Sequence, residues 1–374
     1  MQIKGLYLKN FRNYEFLNLE FEKDFNVIFG DNAQGKTNIL EAIFLCSSGR
    51  SHRTSKDLEL IKIGREDYTV KLHFIHSVNE EMEKDIEIVY SKEEKKRIKI
   101  NGSPLRKIGN LMGQLNTVMF SPEDILIIKE GPTERRRFID IALSQLKPSY
   151  FYDLQQYIKI LAQRNNLLRE IEFNKSLINT LEVWNQSIAE KGSRIIRARK
   201  QFVDLLARKA EYNHERITNK NEKLTIKYSP SVEGIEDYNN LESVKKTFLN
   251  NLESIRRREL LKSTTLIGPQ RDEYDLAVNG ESLKLYGSQG QQRTAILSIK
   301  LSEVDIIREE TGENPVLLLD DVMSELDNKR QDYLFGNLNG LQTFITCTKR
   351  DIFEDGFKVK ANYINIRDGR VAVH

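Results

Sequence analysis

The 374-residue chain is 39% hydrophobic and 30% charged, with a net charge of +3. These values describe a soluble, somewhat charge-rich globular protein without global basicity, so any nucleic-acid surface has to be local. The length exceeds one ordinary core, and two domains, or one domain carrying a large insertion, are expected.

The first 30 residues are β-rich: IKGLYLKNF, YEFLNLEF and FNVIF read as short strands with partial alternation. GDNAQGKTNILEAIFLCSSG then passes from a glycine turn into a helix that Gly49 should stop. Strands follow in DYTVKLHFIH, KDIEIVYS and KRIKI, the last closed by the hairpin signal Asn101-Gly102. Near residue 121 the pattern changes, and SPEDILIIKEGPTERRRFIDIALSQL carries two expected helix caps, Ser121 and Thr133. From Tyr150 to about Ala210 proline and glycine almost vanish and long helices are expected. Without sustained heptads they should form a packed lobe rather than a protruding coiled coil. EKLTIKYSP reads as a strand and SVKKTFLNNLESIRRRELLKS as a helix. After Thr264 the α/β character returns, with the hairpin DEYDLAVNGESLKLY, the buried strand NPVLLLDDV, the strand GLQTFITCT and a last hairpin in YINIRDGRVAV. The expected division is a discontinuous α/β head, 1–120 and 262–374, interrupted by a mainly helical lobe, 121–261.

Cys46 and Cys347 stand far apart in apolar surroundings and read as buried reduced thiols of a cytoplasmic protein. The opening MQIKGLYLKNF has no unbroken apolar run behind its charges, and no later run reaches membrane-spanning length. No membrane partner is expected.

GDNAQGKT fits G-x-x-x-x-G-K-[ST] with a strand before it and a helix after it, the context a phosphate-binding loop requires. Its glycines let backbone N–H groups curl around phosphates. Lys36 brings a point charge to the β and γ phosphates, and the Thr37 hydroxyl a ligand for Mg²⁺. The nucleotide candidates are therefore Gly30, Asp31, Asn32, Ala33, Gln34, Gly35, Lys36, Thr37 and Asn38. Such a site needs a carboxylate on a neighbouring strand, and VLLLDDV supplies it. Asp320 and Asp321 emerge where ligands bind in open α/β sheets. Asp320 is the candidate for the Mg²⁺ shell, and Asp321 for orienting or activating the attacking water. An Asp-Asp pair alone would read as a cap or turn; the apolar strand and the phosphate loop decide otherwise.

YGSQGQQRTA, Tyr286 to Ala295, places a small, amide-rich turn at the start of the helical segment ILSIKLSEVDIIRE. Unpaired N–H groups and the positive end of the dipole make such a turn a ready anion site, although alone it reads as a capped loop.

In this order the three segments resemble an ABC-type ATPase head, a P-loop NTPase fold of mixed sheet and helices. The resemblance puts YGSQGQQR at the signature motif, whose serine and glycines contact the γ-phosphate held by another subunit. It assigns Ser288, Gly290 and Gln291 to that role, with Gln289 and Gln292 in support, and implies an ATP-sandwiched homodimer. SELD, Ser324 to Asp327, resembles the D-loop, which crosses the two-fold axis.

The long separation of Lys36 from Asp320 narrows the match. So do NFRNY, GDNAQGKTN, SHRTSKDLELI, FSPEDILIIKEGPTERRRFID and LLLDDVMSELD in sequence order. Together they closely resemble the RecF family of bacterial recombination mediators, related to SMC proteins. The resemblance runs nearly end to end, although 150–260 carries only helical character. It implies a DNA-repair ATPase with ATP and Mg²⁺ as cofactors, dimerising on ATP and binding duplex DNA near single-strand gaps. RecR and RecO are the implied partners in loading recombinase. Arg12 and Asn13 resemble residues near the nucleotide base and phosphates, and Arg53 a phosphate-contacting arginine; read without the family, each arginine is a surface ion pair.

Two departures stand out. No glutamine lies near SPED to couple the metal to the lobe, leaving Ser121 or Glu123. FITCT lacks the switch histidine, leaving Thr346 or Thr348 facing the γ-phosphate. Asp321 also stands where many such ATPases carry glutamate, and slow, DNA-stimulated hydrolysis is expected.

EKGSRIIRARK holds Lys191, Arg194, Arg197, Arg199 and Lys200, several of them three or four apart, an expected basic helix face tracking phosphates. Arginines 135–137 and 256–258 form further clusters; a charge run alone reads as a solvated face. Two other functions fit parts of the pattern. A transport ATPase subunit is disfavoured by SQGQQ, the missing histidine and the insertion, and co-purification with membranes would favour it. An SMC-like DNA organiser is disfavoured by short helices without heptads, and compaction of naked duplex would favour it.

Overall fold

The computed structural model describes residues 1–22, 24–76, 82–348 and 361–372. The chain opens with the hairpin β1 (Gln2–Phe11) and β2 (Tyr14–Glu20), then β3 (Phe25–Phe29) and the helix α1 (Lys36–Ser48). As expected, α1 ends on Gly49 in left-handed conformation. A meander follows: β4 (Asp67–His76), β5 (Met82–Ser91), β6 (Lys95–Ile100) and β7 (Ser103–Pro104). It joins the first hairpin in a sheet of order β2-β1-β4-β5-β6-β7, antiparallel throughout.

After β8 (Thr117–Phe120) comes the lobe: the helical turn α2 (Leu126–Lys129), α3 (Pro132–Leu146), α4 (Pro148–Phe173), α5 (Leu181–Ile217), the strand β9 (Leu224–Ser229) and α6 (Leu241–Lys262). The helices pack on one another around Ile188, Ile195, Phe202, Val244 and Phe248. Thr133 does not cap α3. Pro132, with its preset φ and no N–H to satisfy, takes the first position, and the Thr133 hydroxyl accepts from Arg136 instead.

The head resumes with β10 (Glu273–Val278), β11 (Glu281–Ser282), the helical turn α7 (Leu283–Tyr286) and α8 (Gln289–Thr311). It ends in β12 (Val316–Asp320), α9 (Asn328–Gly336), β13 (Thr343–Cys347), β14 (Ala361–Arg367) and β15 (Arg370–Val371). The expected hairpin arm ESLKLY is a strand for only two residues. Leu283 then turns into the lobe core and the chain coils into α7. Val373 of the expected last hairpin lies outside the described residues. One strand pair crosses the boundary expected at 262: β10 pairs along its whole length with β9 of the lobe.

The second large sheet has the order β15-β14-β3-β13-β12-β8, parallel except at β15. Alternate residues of β12 enter different cores. Val316 and Leu318 pack with α1 and the antiparallel sheet, while Leu317 and Leu319 pack with α8 and α9. A strand covered on both faces needs an unbroken apolar run, which VLLL provides. The carboxyl ends of β3, β12 and β13 therefore gather at one edge, beside the start of α1.

Candidate nucleotide-binding site

The loop from Gly30 to Gly35 is clamped on two sides. A Cβ on Gly30 (φ +146°) would stand 2.3 Å from the Ile366 carbonyl oxygen, and one on Gly35 (φ +109°) 2.5 Å from the Asn13 side chain. Only glycine fits either position. The Asn13 amide donates to the Gln34 carbonyl at 2.8 Å, and Asn38 donates to Asn13 Oδ1 at 2.8 Å. Tyr14 adds a hydroxyl bond to the Gly35 carbonyl at 3.0 Å. Lys36 Nζ crosses the loop and donates to the carbonyls of Gly30 and Asp31, each at 2.7 Å. Burial pulls its pKa below the usual lysine range, opposed by Asp321, Cys347, Asp320 and Asp31.

Thr37 Oγ1 donates to Asp320 Oδ1 at 2.8 Å, so the phosphate loop and the end of β12 meet as the motifs require. Thr346 Oγ1 donates to the same oxygen at 2.7 Å and accepts the Asp321 N–H at 2.9 Å. Asp321 itself is left-handed, with φ 50°, an uncommon state for a residue with a side chain. Its carboxyl lies above the ordinary range through desolvation and the neighbouring Asp320, against the pull of Lys36. Of the two threonines read from FITCT, Thr346 is buried against Asp320 and Thr348 is exposed at the end of β13. A hydroxyl and a carboxylate are the hard oxygen donors that suit Mg²⁺. Among the described residues no cluster of three His, Cys, Asp or Glu side chains could hold a metal alone.

Arg12 and Arg53 converge on a residue that sequence reasoning missed, Glu41. Arg12 grips it with two bonds, at 2.8 and 2.6 Å, and Arg53 lies 3.7 Å away. Glu41 is buried in α1 and also accepts the Ser51 hydroxyl at 2.5 Å. Burial alone would raise its carboxyl; the bonds from Arg12 and Ser51 outweigh that and hold it below the usual range. A lone acid inside the apolar run ILEAIF was the available signal.

Ser288 starts α8 as a reciprocal cap: its Oγ accepts the Gln291 N–H at 3.2 Å, and Gln291 Oε1 accepts the Ser288 N–H at 2.9 Å. Gln292 bonds the Leu283 carbonyl at 3.0 Å. Among the described residues no hydrogen bond joins 286–295 to 30–38. The turn is bonded instead to 324–330, through Arg293 on Glu325 and Arg330 on the Gly290 carbonyl. Near SPED, Ser121 and Glu123 line a cavity of about 330 Å³ together with Arg53 and Arg137, while Asp124 accepts the Ser121 N–H at 2.8 Å.

The expected basic face is only partly a surface. Lys191 pairs with Asp153 at 3.0 Å, Arg194 with Glu190 at 3.3 Å, and Lys200 with Asp204 at 2.6 Å. Arg197 is half-buried on the same helix. Arg199 is no part of that face. It is 2% exposed, bonded to Asp140 at 2.9 Å, to Asp272 at 3.0 Å and to the Pro269 carbonyl at 2.6 Å. Its position on the inner side of α5 makes it a lobe-closing residue, which corrects the expectation of a DNA contact there. In the 135–137 cluster, Arg135 pairs with Glu273 and Arg136 bonds the Asp272 carbonyl, so both tie α3 to β10.

A family model described as the RecF/RecN/SMC N terminal domain matches residues 2–368. The DNA replication and repair protein RecF of Acetivibrio thermocellus is 55% identical over 370 residues, 99% of each chain. This chain belongs to the RecF family. The RecF of Ruminiclostridium cellulolyticum is 50% identical over 371 residues, again 99% of each. Among solved structures, the recombination mediator protein RecF with ATP, in the RecFOR pathway, superposes with a TM-score of 0.91 at 41% identity, covering 99% of this chain and 97% of that one. A Smc head domain from Pyrococcus furiosus, at 17% identity and a TM-score of 0.55, shares the fold alone. The family and the ABC-type head expected from the motifs are thus the ones found. Among the described residues no helix is long and apolar enough to cross a membrane.

Proposed function

We propose that this chain is an ATP-dependent, DNA-binding recombination mediator. It closes as a homodimer around ATP on duplex DNA near single-strand gaps and acts with RecO and RecR in loading recombinase in the cytoplasm. The observation that carries the reading is the bond between Thr37 and Asp320, which brings a phosphate loop and a strand-end carboxylate into one site. The 41%-identical recombination mediator solved with ATP supports it.

In this reading the loop N–H groups of 30–38 and Lys36 hold the β and γ phosphates, and Thr37 with Asp320 hold Mg²⁺. The ion, when bound, supplies charge neutralisation at the phosphate oxygens. Asp321 orients the attacking water and accepts its proton, and its short side chain suits slow turnover. Arg12, Asn13 and Arg53 brace the loop through Glu41 and Asn38 and border the nucleotide, and Thr348 faces the phosphate edge from β13. Ser288, Gly290 and Gln291 complete the site of a second copy. The head, 1–120 and 262–374, carries this chemistry, and the lobe, 121–261, carries DNA contacts from Lys191, Arg194, Arg197 and Lys200, with DNA stimulating a weak ATPase.

Light scattering with and without Mg·ATP tests the reading, using Asp321→Asn to slow turnover. A doubling of mass only with ATP, abolished by Ser288→Arg, is the expected result. A mass unchanged by ATP, on gapped duplex as well as in free solution, overturns the sandwich while leaving nucleotide binding intact.

A further inference from the structure

The signature turn and the 324–327 loop are joined within one head by two arginines reaching in opposite directions. Arg293, at the start of the second turn of α8, donates to the Glu325 carbonyl at 2.6 Å and pairs with its carboxylate. Arg330, on the first turn of α9, reaches back. Its Nε donates to Thr294 Oγ1 at 2.8 Å, its Nη2 to the Gly290 carbonyl at 3.0 Å, and its Nη1 pairs with Asp327. Thr294 Oγ1 donates in turn to the Gly290 carbonyl at 2.8 Å. That carbonyl, in the middle of SQGQ, therefore accepts directly from Arg330 and from a threonine hydroxyl that itself accepts from Arg330. Asp327 is fixed as well, since it caps α9 by accepting the Arg330 N–H at 3.0 Å. A planar guanidinium with all three nitrogens engaged fixes direction as well as distance, which a lysine cannot do.

The inner side of this block faces the segment after β8. A cavity of about 270 Å³ separates it from the segment after β8, lined by Ser121, Asp124, Gln292, Arg293, Glu325 and Leu326. The signature turn is thus bonded to the 324–327 loop, and Gln291 Nε2 also donates to Glu222 Oε1 at 3.0 Å.

We propose that Arg330 is a positioning residue that makes the signature turn and the 324–327 loop one rigid unit, presented together to the nucleotide of a second head. The proposal rests on the ATP-sandwiched reading for its consequence but not for its mechanism. In the single head, Arg330 sets the plane of the Gly290 peptide. In the dimer, the loop and the turn dock in fixed relation.

Two measurements on the full chain test it. Amide hydrogen exchange on the nucleotide-free monomer reads the clamp alone. Arg330→Gln should speed exchange at Gln291 and Gln292 by about tenfold, the worth of a charge-assisted hydrogen bond, and Arg330→Lys should not restore protection. Exchange within threefold of the parent overturns the clamp. Light scattering against concentration, with Mg·ATP, reads the consequence. Arg330→Gln should weaken the dimer about tenfold, with the monomer's affinity for a fluorescent ATP analogue unchanged. A weaker dimer with unchanged exchange overturns the proposal, because Arg330 then acts across the interface. Faster exchange with an unchanged dimer overturns the single-unit docking. If the parent chain itself never dimerises, the sandwich reading fails, and Arg330 as a clamp still stands or falls on the exchange result.

Discussion

The Thr346 hydroxyl donates to the Asp320 carboxylate at 2.7 Å while accepting the backbone N–H of Asp321 at 2.9 Å, one side chain joining both acids of the pair. Thr346→Val keeps the shape and removes both bonds. It should destabilise the fold by about 1–3 kcal/mol, the cost of leaving buried polar groups unpaired. ATP turnover should drop at least tenfold, roughly the rate loss that a misplaced metal carboxylate brings. Thr346→Ser should retain both properties. Urea unfolding and phosphate release measure the two effects.

Asp321 gives a pH signature with a definite sign. Its folded-state carboxyl lies above the ordinary range through desolvation and Asp320, so the unfolded chain ionises first as pH rises. The folded state is favoured below the ordinary carboxylate range, and that contribution is lost as pH climbs through the raised value. Asp321→Asn should therefore melt higher than the parent at neutral pH, with the gain vanishing on acidification. Calorimetry at the two pH values checks it, and a gain that persists in acid contradicts the assignment.

Arg199 should behave as an interior residue. Arg199→Ala strands Asp140 and Asp272 and should cost about 3–5 kcal/mol in denaturant unfolding. Arg197→Ala, on the same helix, should stay within about 0.5 kcal/mol. Equal losses in the two variants would count against the inward network.

Gly30→Ala puts a methyl against the Ile366 carbonyl in a backbone state that alanine avoids. The strain, about 1–3 kcal/mol, falls on the loop itself. Circular dichroism should stay native while affinity for a fluorescent ATP analogue falls at least tenfold, since about 1.4 kcal/mol is a factor of ten.

The site's main parts were legible because each is a short string whose geometry is local. GDNAQGKT between a strand and a helix forces a phosphate loop, and VLLLDD forces a buried strand ending in acids. What could not be read is pairing between distant charges. In EKGSRIIRARK only the spacing from Ile195 and Ile196 sets Arg199 apart from Arg197, and its partners Asp140 and Asp272 are brought to α5 by the packed lobe. Glu41 and Arg330 were overlooked for the same reason, each defined by partners from other elements. The Thr133 cap failed on a local competition that Pro132 wins, and ESLKLY failed because Leu283 is drawn into a core that its own neighbours do not form.

The place of β3 in its sheet has a consequence during synthesis. The strand that launches the phosphate loop lies between β13 and β14, pairing with Thr343 on one side and Ala361 on the other. A ribosome adding about 5–20 residues per second exposes β3 for tens of seconds before either neighbour emerges. Over that interval α2 to α6 gain the partners that complete their core, among them Tyr274 and Val278 of β10 and Ile299 of α8. The strand before the candidate nucleotide loop therefore lacks both of its sheet neighbours until the last part of the chain has been made.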